Sequence, residues 1–242
     1  MENLNFTETI LSAVGSIEVT GGPMYAGKTS LAIGLANQRS FLGEKIIYIN
    51  HDSDTRETAG GVEGVFTSHN ASNRFLCPMV RTAKATHLKE VDVKDIDLII
   101  VDEGQLFPDL AETVIHWADE LKKDISVFCV DATFEQVLFE NVAKLLPHAD
   151  RYTKVNGECL FCVKSLRKRG YRGKVPNFPT AFSMLAPGVD LKSSRDGQIH
   201  IGGEELFVAT CRRHKMILEK MKKNSILDIP PTPDGSGSST DE

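Results

Sequence analysis

Short apolar runs recur along the first half of the chain, and their length and composition predict β-strands. These runs are Ile17–Thr20, Lys45–Asn50, Leu98–Asp102 and Ser126–Asp131. Between them, apolar residues at helical spacing predict helices, and the clearest apolar face lies in 110–123 with Leu110, Val114, Trp117 and Leu121. Alternating strands and helices favour an α/β fold built on a parallel sheet with flanking helices.

The pattern changes after about Arg151, and this change predicts the division into domains. Residues 156–214 contain Gly, Pro and Cys but few helical periods, which is typical of a small, loop-rich unit. We expect a flexible N-terminus at 1–16, an α/β domain at 17–150, a second domain at 151–225 and a disordered tail at 226–242. The second domain is predicted to end in a helix at Lys215–Asn224.

Composition narrows the class of protein. With 242 residues, 41% of them hydrophobic and 25% charged, the chain is predicted to be a soluble globular protein. The net charge of −5 gives no reason to expect direct nucleic-acid binding, and no stretch approaches the ~20 apolar residues of a membrane span. The N-terminus lacks the basic region of a secretory signal, and five cysteines suit a reducing compartment, so we expect a cytoplasmic protein.

Residues 22–29 match the phosphate-loop pattern G-x-x-x-x-G-K-[ST], known as Walker A. A predicted strand precedes the loop and a predicted helix follows it, which is the order that phosphate binding requires. The glycines allow a tight turn, Lys28 supplies a positive charge, and Thr29 offers a hydroxyl to Mg²⁺. The alternative is an ordinary glycine turn. The predicted ATP-binding residues here are Gly22, Pro23, Met24, Tyr25, Ala26, Gly27, Lys28, Thr29 and Ser30.

A second candidate for chemistry is the pair Asp102-Glu103 at the end of an apolar strand. In the Walker B arrangement such a strand carries a carboxylate to the sheet edge where the phosphate loop also lies. Asp102 would then hold Mg²⁺, and Glu103 would accept a proton as general base. The alternative is that the pair caps the next helix, since acidic residues favour helix starts.

Two short pairs of soft ligands, Cys159/Cys162 and Cys211/His214, predict a metal site. Each C-x-x-C/H spacing suits two ligands on one tetrahedral ion, and thiolates with an imidazole select Zn²⁺ over Mg²⁺. Four protein ligands leave no open position, so the predicted role is structural. The alternative is four unrelated side chains. Cys129 lies in a buried-looking strand and is predicted to be a core residue.

Taken together and in this order, these motifs resemble those of the type II thymidine kinases, the cytosolic kind of that enzyme. The resemblance covers about Ile17 to His214. In the phosphate loop, Met24 is followed by an aromatic residue as is usual in the family, and residues 102–107 are similar to its D-E-[GA]-Q-F-F motif. Further matching segments are 52–56, 68–70, 131–135 with Phe139, and 201–203.

The resemblance implies a division of roles among the matching residues. Glu103 would take the proton from the 5′-hydroxyl of deoxyribose, while Lys28, Thr29 and Asp102 would handle the ATP phosphates and Mg²⁺. Arg56 would be a second cation near the transferred phosphoryl group. Other matching positions imply a nucleoside pocket and a lasso loop that closes over the base: Met24, Asp54, Leu106, Val130, Thr133, Phe134, Phe139, Ser183, Gln198, Ile199, His200, Ile201 and Phe207.

The resemblance also implies a homotetramer, feedback inhibition by dTTP, and a place in pyrimidine salvage for DNA synthesis. Thymidine is the implied substrate, with deoxyuridine as a second. The sequence departs from the family pattern at Leu106 and Val130, which replace Phe and Leu, at Phe207, which replaces Tyr, and at Leu185, which replaces Arg. The last departure bears on lasso closure.

Two other functions remain open at this stage. A DExx-type ATPase or helicase would share the Asp-Glu-Gly-Gln pattern at 102–105, but the sequence after residue 150 is short for a second motor domain. A non-enzymatic zinc-ribbon protein with a weak nucleotide site would fit the lasso departures. The basic stretch 164–174 is predicted to be a solvated loop, with an acidic partner or a nuclear address as the alternatives.

Overall fold

The computed structural model describes residues 14–53, 80–172, 179–180, 182–189 and 205–223. Within these residues, no helix is both long and apolar enough to cross a membrane.

A six-stranded parallel sheet forms the larger part of the molecule, and the α/β prediction is confirmed. The strands lie in the order β3-β2-β4-β5-β1-β6. Their bounds are β1 Ser16–Gly22, β2 Ile46–His51, β3 Val80–Ala85, β4 Leu98–Val101, β5 Asp124–Val130 and β6 Arg151–Lys154. The four predicted strands correspond to β1, β2, β4 and β5, which occupy the inner positions.

The two outer strands, β3 and β6, were absent from the prediction. The four residues of β6 are all exposed, and most of β3 is exposed or half-buried, so neither has the apolar run that marks an inner strand. Strand β6 pairs with β1 from Glu18 to Gly21, and the sheet therefore continues four residues past the predicted boundary at 150.

Helices cover both faces of the sheet because neighbouring residues of an inner strand point to opposite sides. One face carries Ile47, Ile49, Ile99 and Val101 and packs against α2 (Leu110–Asp119) and α3 (Glu140–Leu145). The other face carries Ile46, Tyr48 and Ile100 and packs against α1 (Lys28–Phe41). Helix α2 ends earlier than predicted, since Lys122 adopts a positive φ of 55° and the chain turns into β5.

The C-terminal part consists of short elements around a cysteine cluster. It contains two antiparallel strand pairs, β7 (Gly157–Glu158) with β8 (Pro179–Thr180) and β9 (Phe182–Leu185) with β10 (Phe207–Thr210), and two helices, one between β7 and β8 and one after β10. These helices are α4 (Leu160–Lys168) and α5 (Arg212–Lys223). Helix α5 matches the predicted terminal helix and starts three residues before it, whereas α4 falls in the segment where few helical periods were expected.

The parallel sheet sets the position of the candidate site. In such a sheet the carboxyl ends of all strands lie at one edge, where ligands bind. The phosphate loop follows β1, Asp102 follows β4, and Asp131 follows β5, so the topology brings these three segments to the same edge.

Candidate active site

The phosphate loop has the backbone shape that its glycines predict. Gly27 lies in the left-handed region with φ 81° and directly precedes α1, so the helix N-terminus faces the loop. Tyr25 also has a positive φ, 61°. The segment at Val155 lies directly against the start of the loop: a Cβ added at Gly22 would lie 2.4 Å from the carbonyl oxygen of Val155. A side chain at position 22 is therefore excluded.

Lys28 is almost fully buried, and the loop itself holds its ammonium group. Its Nζ donates to the carbonyl oxygens of Pro23 at 2.8 Å and Gly22 at 3.3 Å. This places the positive charge inside the curve of the loop. When a phosphate binds there, the ammonium group would exchange its contacts with the carbonyl oxygens for contacts with the phosphate oxygens. Thr29 is the second residue of α1, with its side chain half-buried.

The C-terminal part contacts the phosphate loop directly. The backbone N–H of Met24 donates to Oγ of buried Ser183 in β9 at 2.9 Å. Gly157 packs so closely on the loop that an added Cβ would lie 2.7 Å from the carbonyl oxygen of Tyr25, and its N–H donates to Thr180 Oγ1 at 2.9 Å. The structure thus brings Met24 and Ser183 together, two residues predicted to touch the nucleoside.

Asp102 lies at the end of β4 with its carboxylate fixed on both oxygens. Oδ2 accepts a hydrogen bond from the Tyr48 hydroxyl at 2.7 Å, and Oδ1 accepts one from the backbone N–H of Glu103 at 3.0 Å. Asp102 is 1% exposed. Its oxygens are of the kind that Mg²⁺ prefers, so the residue fits the predicted metal-holding role.

Glu103 follows in the left-handed region with φ 53°, a backbone conformation that a non-glycine residue keeps only where its surroundings hold it. Its Oε2 accepts a hydrogen bond from Gln105 Nε2 at 2.6 Å. Helix α2 has Asp109 as its N-cap residue, and Glu103 makes no capping hydrogen bond to the short turn Gly104–Leu106 that follows it. The helix-cap alternative for the pair 102–103 is therefore not supported.

The charged groups of the site act electrostatically on Cys129, a fully buried residue of β5. Burial raises the pKa of its thiol to about 12; Lys28 opposes this rise, while Asp131, Glu103 and Asp102 add to it. Cys129 is thus a neutral core residue, as predicted, and one cation and three carboxylates influence its thiol.

Asp131 is a buried carboxylate with cationic and polar partners from β6. It forms an ion pair with Lys154 and accepts a hydrogen bond from the Tyr152 hydroxyl at 3.3 Å. Burial, followed by the charge of Asp131, raises the pKa of Tyr152, so the phenol stays protonated and remains a donor. These contacts attach the outer strand to the end of β5.

Two aromatic rings from separate parts of the chain meet where the pocket is predicted. The ring centroids of Phe134 and Phe207 lie 6.4 Å apart at an interplanar angle of 34°. Gln136 donates to Met184 Sδ at 3.4 Å across the same junction. Thr133 begins the turn that holds these residues, since its N–H donates to the Val137 carbonyl at 2.9 Å.

The remaining predicted pocket residues fall in several places. Leu106 ends the turn that follows Glu103, Val130 ends β5, and Phe139 packs partly against the main apolar core. Asp54, Arg56, Gln198, Ile199, His200 and Ile201 lie outside the described residues, as does the segment 68–70.

The four predicted metal ligands form one cluster. Nδ1 of His214 lies 3.4 Å from Sγ of Cys159, 3.5 Å from that of Cys162 and 3.4 Å from that of Cys211. The Sγ atoms of Cys162 and Cys211 are 3.9 Å apart, and all four ligand atoms lie within 4.8 Å of one another. Tetrahedral zinc with Cys and His ligands requires separations of roughly 3.5–3.8 Å. The cluster could therefore hold zinc.

Each half of this cluster lies at the start of a helix. Cys159 and Cys162 lie at the start of α4, and Cys211 and His214 lie at the start of α5. Burial, followed by the charge of Arg213, lowers the pKa of His214, so its imidazole is neutral and able to ligate. The ring of Phe161 stacks on His214 at 5.2 Å.

Sequence reasoning missed three residues that shape the site. Tyr48 holds Asp102, Gln105 holds Glu103, and Asn141 holds the turn that follows Glu103. Gln105 belongs to the quoted D-E-G-Q motif, and its polar character beside two carboxylates was an available signal. Tyr48 and Asn141 carry no such signal, because their partners are distant in sequence.

A sequence model described as "Thymidine kinase" matches residues 15–215. The protein named Thymidine kinase 1 of Dictyostelium discoideum is 28% identical over 208 residues, which cover 84% of this chain and 78% of that one. The thymidine kinase of rabbit fibroma virus (strain Kasza) is 30% identical over 153 residues, covering 62% and 79%. That of vaccinia virus (strain Western Reserve) is 29% identical over 152 residues, covering 62% and 79%.

Proposed function

The chain belongs to the thymidine kinase family, and from this membership we propose how its residues transfer the γ-phosphate of ATP to the 5′-hydroxyl of thymidine. It is a deoxynucleoside kinase that phosphorylates thymidine. One observation supports the assignment of its site more than any other. Glu103 is joined through Gln105 to the backbone of Val130, and Val130 pairs with Gly22 at the start of the phosphate loop. The proposed base and the phosphate-binding loop are therefore neighbours.

We assign the proton transfer to Glu103. The 5′-hydroxyl becomes a better nucleophile as a nearby carboxylate accepts its proton, and such a base contributes ~10²–10⁴-fold to the rate. The left-handed backbone at Glu103 and the hydrogen bond from Gln105 support this role, because both fix the direction of the carboxylate. Lys28 would stabilise the charge on the phosphate oxygens. Backbone N–H groups of the phosphate loop would bind these oxygens, apart from Pro23, which has no N–H, and Met24, whose N–H donates to Ser183.

Asp102 and Thr29 are the residues that would hold Mg²⁺. When bound with ATP, this ion neutralises charge on the phosphate oxygens. The Tyr48 hydroxyl and the Glu103 N–H fix the Asp102 carboxylate, so its direction does not depend on the ion. Arg56, outside the described residues, remains the proposed second cation.

The nucleoside would bind between Met24 and the aromatic pair Phe134 and Phe207. Leu106, Val130, Thr133 and Phe139 are proposed as further walls, with Asp54, Ser183 and residues 198–201 closing the pocket. An apolar slot distinguishes the 5-methyl group of thymine by only ~1–3 kcal/mol. Deoxyuridine is therefore proposed as a second substrate.

The remaining proposals follow from the family. The cluster at Cys159, Cys162, Cys211 and His214 would hold a structural zinc ion in a domain of 151–225. A homotetramer, inhibition by dTTP, and a cytoplasmic role in pyrimidine salvage are proposed on the same basis.

Replacing Glu103 with Gln tests the assignment of the base. We expect kcat for thymidine to fall by about 10²–10⁴-fold, with ATP affinity unchanged, because the amide cannot accept the proton. Glu120→Gln, the same change at an exposed residue just after α2, should leave kcat unchanged. Retained turnover in Glu103→Gln would remove Glu103 from this role. Turnover of ATP without any nucleoside acceptor would instead favour an ATPase.

A further inference from the structure

We propose that Gln105 is a positioning residue for Glu103: its side-chain amide orients the carboxylate of the base toward the acceptor hydroxyl. This inference rests on the proposed role of Glu103 as the base. It adds a function for a residue that need not touch either substrate.

Gln105 links the ends of two neighbouring strands. Its Nε2 donates to Glu103 Oε2 at 2.6 Å, and its Oε1 accepts from the backbone N–H of Val130 at 2.8 Å. Glu103 follows β4, and Val130 is the last residue of β5. The amide thus spans the gap between the two strands at the edge where phosphoryl transfer is proposed.

The direction of the amide is determined by its partners. A backbone N–H can only donate, so the oxygen of Gln105 must face Val130 and the NH₂ group must face Glu103. An ionised carboxylate only accepts, and it satisfies this NH₂ group. Because a carboxylate has about four lone-pair sites, the bond orients Glu103 while leaving it able to take up a proton.

The backbone under Gln105 is held from two sides. Asn141 Nδ2 donates to the carbonyl oxygens of Gln105 at 2.9 Å and Phe107 at 2.7 Å. At Gly104 an added Cβ would lie 2.7 Å from Val127 Cγ1, so the turn packs directly on β5. Gln105 is itself only 5% exposed. The side chain that donates to Glu103 is therefore attached to a backbone segment that is held in place, as a positioning role requires.

Two substitutions separate positioning from structural support. Gln105→Glu keeps the shape and the oxygen that accepts from Val130, but replaces the donor facing Glu103 with a second carboxylate oxygen. Gln105→Met removes both hydrogen bonds. If Gln105 positions the base, both variants should lose about 10–100-fold in kcat with little change in KM, and Gln105→Glu should lose at least as much as Gln105→Met. If it only supports β5, Gln105→Glu should keep near-normal kcat and Gln105→Met should not.

The kinetics distinguish a failure of the positioning role of Gln105 from a failure of Glu103 as the base. Thymidine turnover is measured for the wild type, Glu103→Gln, both Gln105 variants, and Glu103→Gln combined with Gln105→Met. Positioning predicts that the Gln105 change costs nothing further once Glu103 is replaced. Inactive Glu103→Gln with near-normal kcat in Gln105→Glu would overturn positioning alone. Active Glu103→Gln would overturn the base, and positioning with it.

Controls for the chemistry and for folding complete the test. Gln38, exposed on α1, receives the same substitutions to Glu and Met, which should not change kcat. Thermal unfolding and ATP binding identify any variant that fails to fold. A Gln105→Glu protein that folds, binds ATP and turns over thymidine at the wild-type rate contradicts the proposal.

Discussion

The sheet and the cysteine cluster hold their parts of the chain in different ways. The sheet is stabilised by buried apolar side chains on both faces, among them Ile99 and Trp117 on one face and Ile100 on the other. Among the described residues, the buried apolar group at the cluster consists of the ligands Cys159, Cys162 and Cys211, with a few partly buried side chains packed against them. With this small core, the segment would depend on a metal ion at the cluster for its stability, whereas the sheet depends on packing. Yet both parts contact the phosphate loop, through Val130 opposite Gly22 and through Ser183.

Removal of the metal should have the largest effect on stability. This effect should be confined to the C-terminal part around the cysteine cluster and should spare the sheet. Structural zinc sites contribute about 10–16 kcal/mol. We expect about one equivalent of zinc per chain. When a chelator removes the zinc, the backbone amides of 159–172 and 205–223 should exchange hydrogen rapidly, while those of 98–130 should stay protected. Cys211→Ser should behave like chelated protein.

Cys129→Ala serves as the matched control, because Cys129 is a buried cysteine outside the cluster. It should keep its zinc. Less than about half an equivalent of zinc per wild-type chain would contradict the metal assignment. Loss of protection in the sheet on chelation would show that the two parts do not unfold separately.

The same contrast explains which parts of the fold and of the candidate site can be predicted from the sequence. Inner strands such as β4 were predicted because burial on both faces imposes an apolar run, and the metal ligands because two ligands on one ion impose a short spacing. The outer strands β3 and β6 lack such a constraint and were missed. The bond from Gln105 to Val130 joins residues 25 positions apart, so no local pattern could indicate it.

Truncation of a core side chain should affect the sheet and spare the cluster. Trp117 is 3% exposed in α2, and Trp117→Ala should lower the free energy of unfolding of the sheet by about 3–5 kcal/mol. Leu121, predicted on the same helix face, lies beyond the end of α2 and is 43% exposed. Leu121→Ala should therefore cost about 0.5 kcal/mol or less. Urea titration at constant zinc measures both, and equal losses would contradict the assignment of the core.

A smaller effect is expected where the two parts meet. Ser183→Ala removes the acceptor of the Met24 N–H and should cost about 1–3 kcal/mol, seen as faster hydrogen exchange at the Met24 amide. Ser40 is also buried, and its Oγ has no hydrogen-bond partner among the described residues, so Ser40→Ala should cost less. Unchanged exchange at Met24 in Ser183→Ala would show that this contact does not connect the phosphate loop to β9.

The smallest effect concerns Asp109, at the start of α2 in the sheet domain. Burial acts to raise the pKa of its carboxyl, but the N–H groups of Lys89 and Leu88 and the hydroxyl of Thr113 lower it below the ordinary 3.8. A lowered pKa means that Asp109 stabilises the fold above about pH 4 and that this contribution disappears as the pH falls through the folded-state value. Because the group is only partly buried and solvent screens its interactions, its contribution at pH 7 should be no more than about 1 kcal/mol. The difference in unfolding free energy between wild type and Asp109→Asn, followed by urea titration from pH 7 to pH 3, should therefore shrink only below about pH 4. Thr113→Val removes one of the donors to Asp109. Replacing Asp109 with Asn should therefore cost less unfolding free energy at pH 7 in the Thr113→Val protein than in the wild type. Proton-linked release of zinc affects wild type and variant alike, so a difference that instead grew on acidification would contradict the contribution assigned to Asp109.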